Sequence, residues 1–453
     1  MKNFPTQWRD FSDSAVRAIQ LGYSIGGNSA KGDSTSGASG IPGFENMSWR
    51  EIEMLAAGGT VNFWMWDGAA HINEWVDNWL GARLQQKYQI SIKRGASQGA
   101  AAAVAQVADE MKSAKTTGCP QYSPAPCGGS VDLIWINKLN FQTIKEADNL
   151  FGPWATKVPN AKNYDFFSPS IAFDAGTPTQ GYEMPYNSAQ VVFFHNTEKL
   201  PAPPKTIPDL VAWVKSNKGR FAYSDPNKDF TGAVLVQQFF YHYAGVGAGG
   251  SWKDFLGDFN KDLYTERAPL VWQKLREIEP FLKLDGSKKY PSDHTAIRKW
   301  FGTEDVWLDL SYDPNHASTN ILNGNYEETT KSYVLDTGTI SNTNFVAIPA
   351  NSQNKAAALV AANMIGSIEA IFTRAQPERW GALPAYDANS PMMLASGWDA
   401  AFDYITTHHA APTVEDLTAG RLTELRGEYV SQLKADWQDC IVDTNRNNAA
   451  CGL

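Results

Sequence analysis

From about residue 48 the chain alternates between two hydrophobic rhythms. In "TVNFWMWDG", residues 60–68, apolar side chains recur as they do along a strand, and the run stops at an acid and a glycine. The next segment, "HINEWVDNWLGARLQQKY", puts Ile72, Trp75, Trp79 and Leu80 on one face of a helix, and "ISIKRG" follows as a strand. A helical "AAAVAQVADEMKSA" leads to "VDLIWINKLNFQTIKEADNL", a buried strand that runs through Asn137 into a helix. The order βαβαβα predicts a parallel, doubly wound sheet.

A second unit begins with the long strand in "YNSAQVVFFHNTEKL" and continues through a helix, a strand at "RFAYSDP" and a helix opening at "DFTGAV". Further on, "VWLDLSY" reads as a strand and "DPNHAS" as a helix start with Asp313 as its cap and Pro314 in the first turn. "TNFVAIPAN" is a last strand, and the remainder is mostly helical. Before all this, "GGNSAKGDSTSGASGIPG" is too rich in glycine and serine to pack a core, so residues 1–48 read as an extension or linker.

With 453 residues the chain suits two lobes. The net charge of −9 supplies no basic footprint for a nucleic-acid backbone, and no apolar stretch nears the roughly 18 residues that span a bilayer. Four cysteines form two local pairs, Cys119 with Cys127 and Cys440 with Cys451. Both pairs sit in loop-like sequence without zinc or thioredoxin spacing, which suits two small disulfide loops in an oxidising compartment, although reduced thiols stay open. "MKNFPTQWRDF" lacks the apolar core of a signal peptide, so the expectation is a cytosolic protein or one whose signal has been removed.

Catalytic motifs are lacking: there is no GxSxG, P-loop, GxGxxG after a strand or HExxH. No metal site or cofactor is predicted. What recurs is polar and aromatic residues at the carboxyl ends of predicted strands: Trp64, Trp66 and Asp67; Asn137; Asp225; Asp309, Ser311 and Tyr312. Ligands of open α/β sheets bind beyond such ends. The N–H groups near Thr231 and Gly232 suit an acceptor oxygen. Against this, Trp64 and Trp66 also suit core packing, and Asp225 and Asp313 also suit turns and caps.

These segments, in this order over residues 48–440, resemble the YnjB-like family of ABC-transporter substrate-binding proteins, which is similar to the periplasmic thiamine-binding proteins. The resemblance implies a type II periplasmic binding protein fold, two α/β lobes joined by crossing strands at "YNSAQVVFF" and "TNFVAIP". It divides the chain into residues 49–187 plus 343–453 and residues 188–342. It also implies a monomer, periplasmic or extracellular and tethered through the N-terminal segment, that passes a small ligand to a membrane permease. The thiamine-binding pattern falls on Trp64 to Asp67, on Asn137 where that pattern has an acid, on Thr231, and on Ser311 to Asn315. With Tyr186 and Asn187 of the first crossing strand these form the expected site. The first expectation for the ligand is a cationic or heteroaromatic molecule such as thiamine. Other solutes (a polyamine, an anion, a metal), a hydrolase on the same shell and an adhesive surface protein are the alternatives.

Overall fold

The computed structural model describes residues 37–66, 70–95, 99–113, 128–167, 169–286, 289–376, 379–383, 385, 409–443 and 448–452. Asp67, Cys119 and Cys127 lie outside them.

The first lobe is built on three parallel strands, β1 (Thr60–Trp64), β2 (Ser91–Arg94) and β3 (Leu133–Ile136), with β1 in the middle. Val61 and Phe63 of β1 point into the core while their neighbours are half-buried, the alternation that the sequence shows. The short hairpin β4 (Phe173–Asp174) and β5 (Thr177–Pro178) precedes the long strand β6 (Glu183–Gln190). β6 is the first crossing strand and leads directly into β7 (Val192–Asn196) of the second lobe. There β7 lies between β8 (Leu308–Ser311) and β9 (Thr330–Tyr333), antiparallel to both. The return crossing is β10 (Thr339–Ala347), antiparallel to β6 and, at its far end, to β3. β11 (Arg421–Thr423) lies parallel to the start of β10. This is the expected two-lobe α/β architecture, with hinge strands where the sequence places them.

Each lobe has its own core. One contains Val61, Phe63, Leu133, Phe345 and the helix Lys355–Ile365, buried except for the half-buried Ala356; the other contains Phe193, Leu308, Leu310 and the helix Phe230–Phe240, buried from Thr231 on. Apolar residues all round a helix require burial on every side, and both helices have it.

Several local expectations change. "RFAYSDP" is buried and extended but joins no sheet: Asp225 N–H donates to Pro291 O, and Lys283 N–H to Phe221 O, so its bonds go to loops. The second sheet is antiparallel, not doubly wound. The helix after β8 begins at His316, two residues later than the proline suggested, and Asp313 caps the turn before it by accepting from Asn315 N–H at 2.9 Å. The helix at 70–88 widens at Trp75–Leu80 into a π-helical turn, and Trp75 and Trp79 stack at 5.0 Å there. The linker ends early, for Ile41 and Phe44 are buried in the first core.

The expected division gave residues 343–453 to the first lobe with the placement of the C-terminal helices left open; the buried side chains from Leu422 to Cys451 lie in the second core. The apolar stripe Leu425, Tyr429, Leu433 and Trp437 faces that lobe, and the disulfide Cys440–Cys451 fastens the segment's end. Arg276 donates to the carbonyls of both cysteines.

Candidate functional site

β1 and β3 end side by side and leave Trp66 and Asn137 at the lip of the first lobe. Trp64 is half-buried, and its indole lies so close to Gly95 that a Cβ there would meet it at 2.3 Å. Trp66 is 51% exposed and meets Trp135 edge to face at 6.4 Å. Behind them Trp135, Tyr186 and Trp380 pack mutually at 5.1 to 5.7 Å, and Trp75 touches Trp380 at 5.6 Å. Such edge and tilted contacts are the arrangement that ring quadrupoles favour.

Arg374 fixes this cluster from below. Its guanidinium lies 4.8 Å from the Tyr186 ring and 5.1 Å from that of Trp75, and it donates to Tyr186 O at 2.5 Å and to Ile365 O at 2.9 Å. The Tyr186 hydroxyl is buried without a partner among the described residues, and burial holds its pKa above the usual phenol range. Asn137 Nδ2 donates to Asn344 Oδ1 at 2.7 Å, and Asn344 pairs in register with Asn187. Asn187 Oδ1 is buried without a partner. The structure brings Trp64, Trp66, Asn137, Tyr186 and Asn187 to one side of the first lobe, with Trp135, Trp380 and Arg374, which sequence reading did not single out, packed around them.

The second lobe treats its candidates differently. Asp309 is fully buried, with Oδ1 at 2.7 Å from His294 Nε2. Asp229 accepts from Thr231 N–H at 3.0 Å, Gly232 N–H at 3.3 Å and Ser224 Oγ at 2.5 Å, so the helix start expected to receive an outside acceptor is already capped. Asp225 pairs with Lys228 at 2.9 Å and closes its own turn through Asn227 N–H. Ser311 Oγ accepts from Asp313 N–H. Asp313 is pushed up to about 7 by burial, against the pull of the Asn315 amide and Arg298. Burial, with Arg298, His294 and His71 nearby, holds His316 well below the usual imidazole value.

Two candidates bridge the lobes. Asn315 Nδ2 donates to Gly381 O at 2.7 Å, next to Trp380. Tyr312 OH donates at 2.5 Å to Glu424, which also pairs with Lys138 of the first lobe at 2.8 Å. Among the described residues no cluster of His, Cys, Asp and Glu could hold a metal ion. A separate groove of about 820 Å³ opens on the first lobe, lined by Trp49, Lys157, Tyr164 and Phe167 among others, and includes none of these residues.

Two lobes, crossing strands and an aromatic wall at their junction define a type II periplasmic binding protein. Residues 79–385 match the family described as bacterial extracellular solute-binding protein, and the chain belongs to it. It is 32% identical over 382 residues to Protein YnjB of Escherichia coli (strain K12), covering 84% of this chain and 93% of that one. The fold is similar to the spermidine/putrescine ABC transporter substrate-binding protein PotD of Streptococcus pneumoniae (TM-score 0.56, 14% identity, 83% and 97% of the two chains). It is also similar to the periplasmic binding protein AfuA of Actinobacillus pleuropneumoniae, solved with fructose-6-phosphate (TM-score 0.52, 12% identity, 84% and 98%). Membership of this solute-binding family sets the hydrolase reading aside.

Proposed function

We propose that this solute-binding protein captures a small polar molecule with a planar, heteroaromatic face between its lobes and delivers it to the permease of an ABC importer, thiamine or a related compound being the first candidate. The exposed indole of Trp66, backed by Trp135, Tyr186 and Trp380, carries the reading: it offers a flat apolar face with amide groups of Asn137 and Asn187 beside it. A heteroaromatic face is favoured over a bare cation, because Asp225, Asp229, Asp309 and Glu424 are all engaged internally. The protein works as a monomer outside the cytoplasm, tethered through its N-terminal segment.

Thermal-shift screening against vitamins, nucleobases, polyamines, amino acids, sugars and anions tests it. A ligand at 100 times its dissociation constant adds about 2.7 kcal/mol of stability. The expected hits are heteroaromatic and quench tryptophan fluorescence; hits confined to sugars or inorganic anions would reject the proposal.

A further inference from the structure

Lys138 opens the helix Lys138–Glu146 of the first lobe in a left-handed backbone conformation, φ 58°, that a residue with a Cβ rarely adopts. Its N–H donates to the buried Asp174 carboxylate at 2.7 Å, which holds the residue in that conformation. From there the side chain leaves its own lobe. Nζ lies 2.8 Å from Glu424 Oε1, 3.8 Å from the centre of the Phe230 ring and 5.8 Å from that of Tyr312. The receiving residues come from three separate segments of the second lobe and are already assembled: Tyr312 OH donates to the same Glu424 oxygen, and Phe230 and Tyr312 meet edge to face at 5.0 Å. The Glu424 side chain is 3% exposed.

Two aromatic faces and a desolvated carboxylate are what recognise a free ammonium ion. Here the ammonium arrives on a tether from the opposite wall. We propose that Lys138 is a built-in ligand for the Phe230–Tyr312–Glu424 cage, so that one side chain both draws the lobes together and bars alkylammonium solutes from this subsite. At 3.8 Å from the Phe230 centroid the Lys138 ammonium is in contact, leaving no room for a second cation. Being tethered, it competes at an effective concentration on the order of millimolar or more, which free amines do not match in dilute solution. The inference extends the cleft reading above but does not depend on which solute the protein carries.

The test is rescue of Lys138→Ala by n-propylammonium, with sodium at equal ionic strength as control, read by small-angle scattering, melting temperature and calorimetric binding. The wild type should ignore millimolar propylammonium. Lys138→Ala should scatter as a more open particle, then compact and melt later when the amine is added. Lys138→Ala/Glu424→Gln should bind the amine at least tenfold more weakly. If Lys138→Ala does not fold, Lys138→Met keeps the apolar stem and frees only the place of the ammonium, so ammonium ion replaces n-propylammonium as the probe and should give the rescue. A variant that matches the wild type in scattering and does not bind the amine, or a wild type that binds it as well as the variant, would overturn the proposal. Because the probe is not the transported solute, a failed solute screen leaves this result untouched.

Discussion

The two walls of the cleft draw on the same kinds of residue and use them in opposite ways. On the first lobe the aromatic groups are packed edge to face but not consumed: Trp66 keeps half its surface in solvent, and Tyr186 and Asn187 keep polar atoms without partners among the described residues. On the second lobe almost every acid near the cleft is spent on the lobe itself. Asp229 caps a helix, Asp309 holds His294, Asp313 holds a turn, and Asp225 pairs with its neighbour. The difference is one of desolvation. A ring face loses little by waiting in a half-exposed position, whereas a carboxylate drawn toward a core needs donors or a proton. Asp229 and Asp313 take donors, while burial pushes Glu183, without a partner among the described residues, up toward its protonated form. In the proposed site, aromatic residues at strand ends stay available to a ligand where acids at strand ends do not.

Removing a second-lobe partner tests this contrast most severely. His294→Ala removes the imidazole that meets the fully buried Asp309 Oδ1 at 2.7 Å, and leaving a buried carboxylate without that partner costs about 3 kcal/mol. Urea unfolding should show that loss, while the affinity of the remaining folded protein for its solute should stay near wild type. A large loss of affinity at unchanged stability would place Asp309 in the binding wall and erase the distinction. Trp66→Ala should do the reverse. Losing one aromatic face costs about 1 to 2 kcal/mol of binding, near tenfold in affinity by titration of tryptophan fluorescence, with little change in melting temperature.

The smallest effect is in the pH dependence. The Asp313 carboxyl titrates at about 7 in the folded protein, above the usual value of about 4 in the unfolded chain, so the folded state binds the extra proton. The stability tied to that proton is fully present below about pH 4 and is lost as pH rises through 7. Asp174 and Glu183, also raised by burial, act with the same sign. His316, lowered by burial, acts in the opposite direction and chiefly below about pH 6.5. Between pH 6.5 and 8, Asp313→Asn should therefore flatten the decline in unfolding free energy without abolishing it. An unchanged slope would show that the carboxyl is ionised throughout.

Much of this was legible in the sequence because it depended on local pattern. β1, β3, β6 and β10 follow from apolar runs bounded by turns, and the resemblance set their order into two lobes. The rest depended on partners far apart in the chain. Trp380 stands in "RWGALP", where no periodicity marks it, and reaches Trp135 only through the fold. Lys138 meets Glu424 across 286 positions, and no spacing rule anticipates such a pair. The cap at Asp229 was readable, since an acid just before a helix commonly binds the first free N–H groups. Thr231 and Gly232 drew attention instead. The C-terminal stripe from Leu425 to Trp437 shows an apolar face, but a stripe does not say which core it will meet.

The described chain visits the first lobe, the second, the first again and then the second, and this gives its first and last described segments different owners. Ile41 and Phe44 anchor one end in the first core, while the Cys440–Cys451 loop, held by Arg276, anchors the other in the second. A donor dye near Gly40 and an acceptor at Gly452 would ride on opposite bodies. Their energy transfer would report every opening and closing without a label in the cleft, and a pull applied to the two ends would load the hinge strands β6 and β10 before either core.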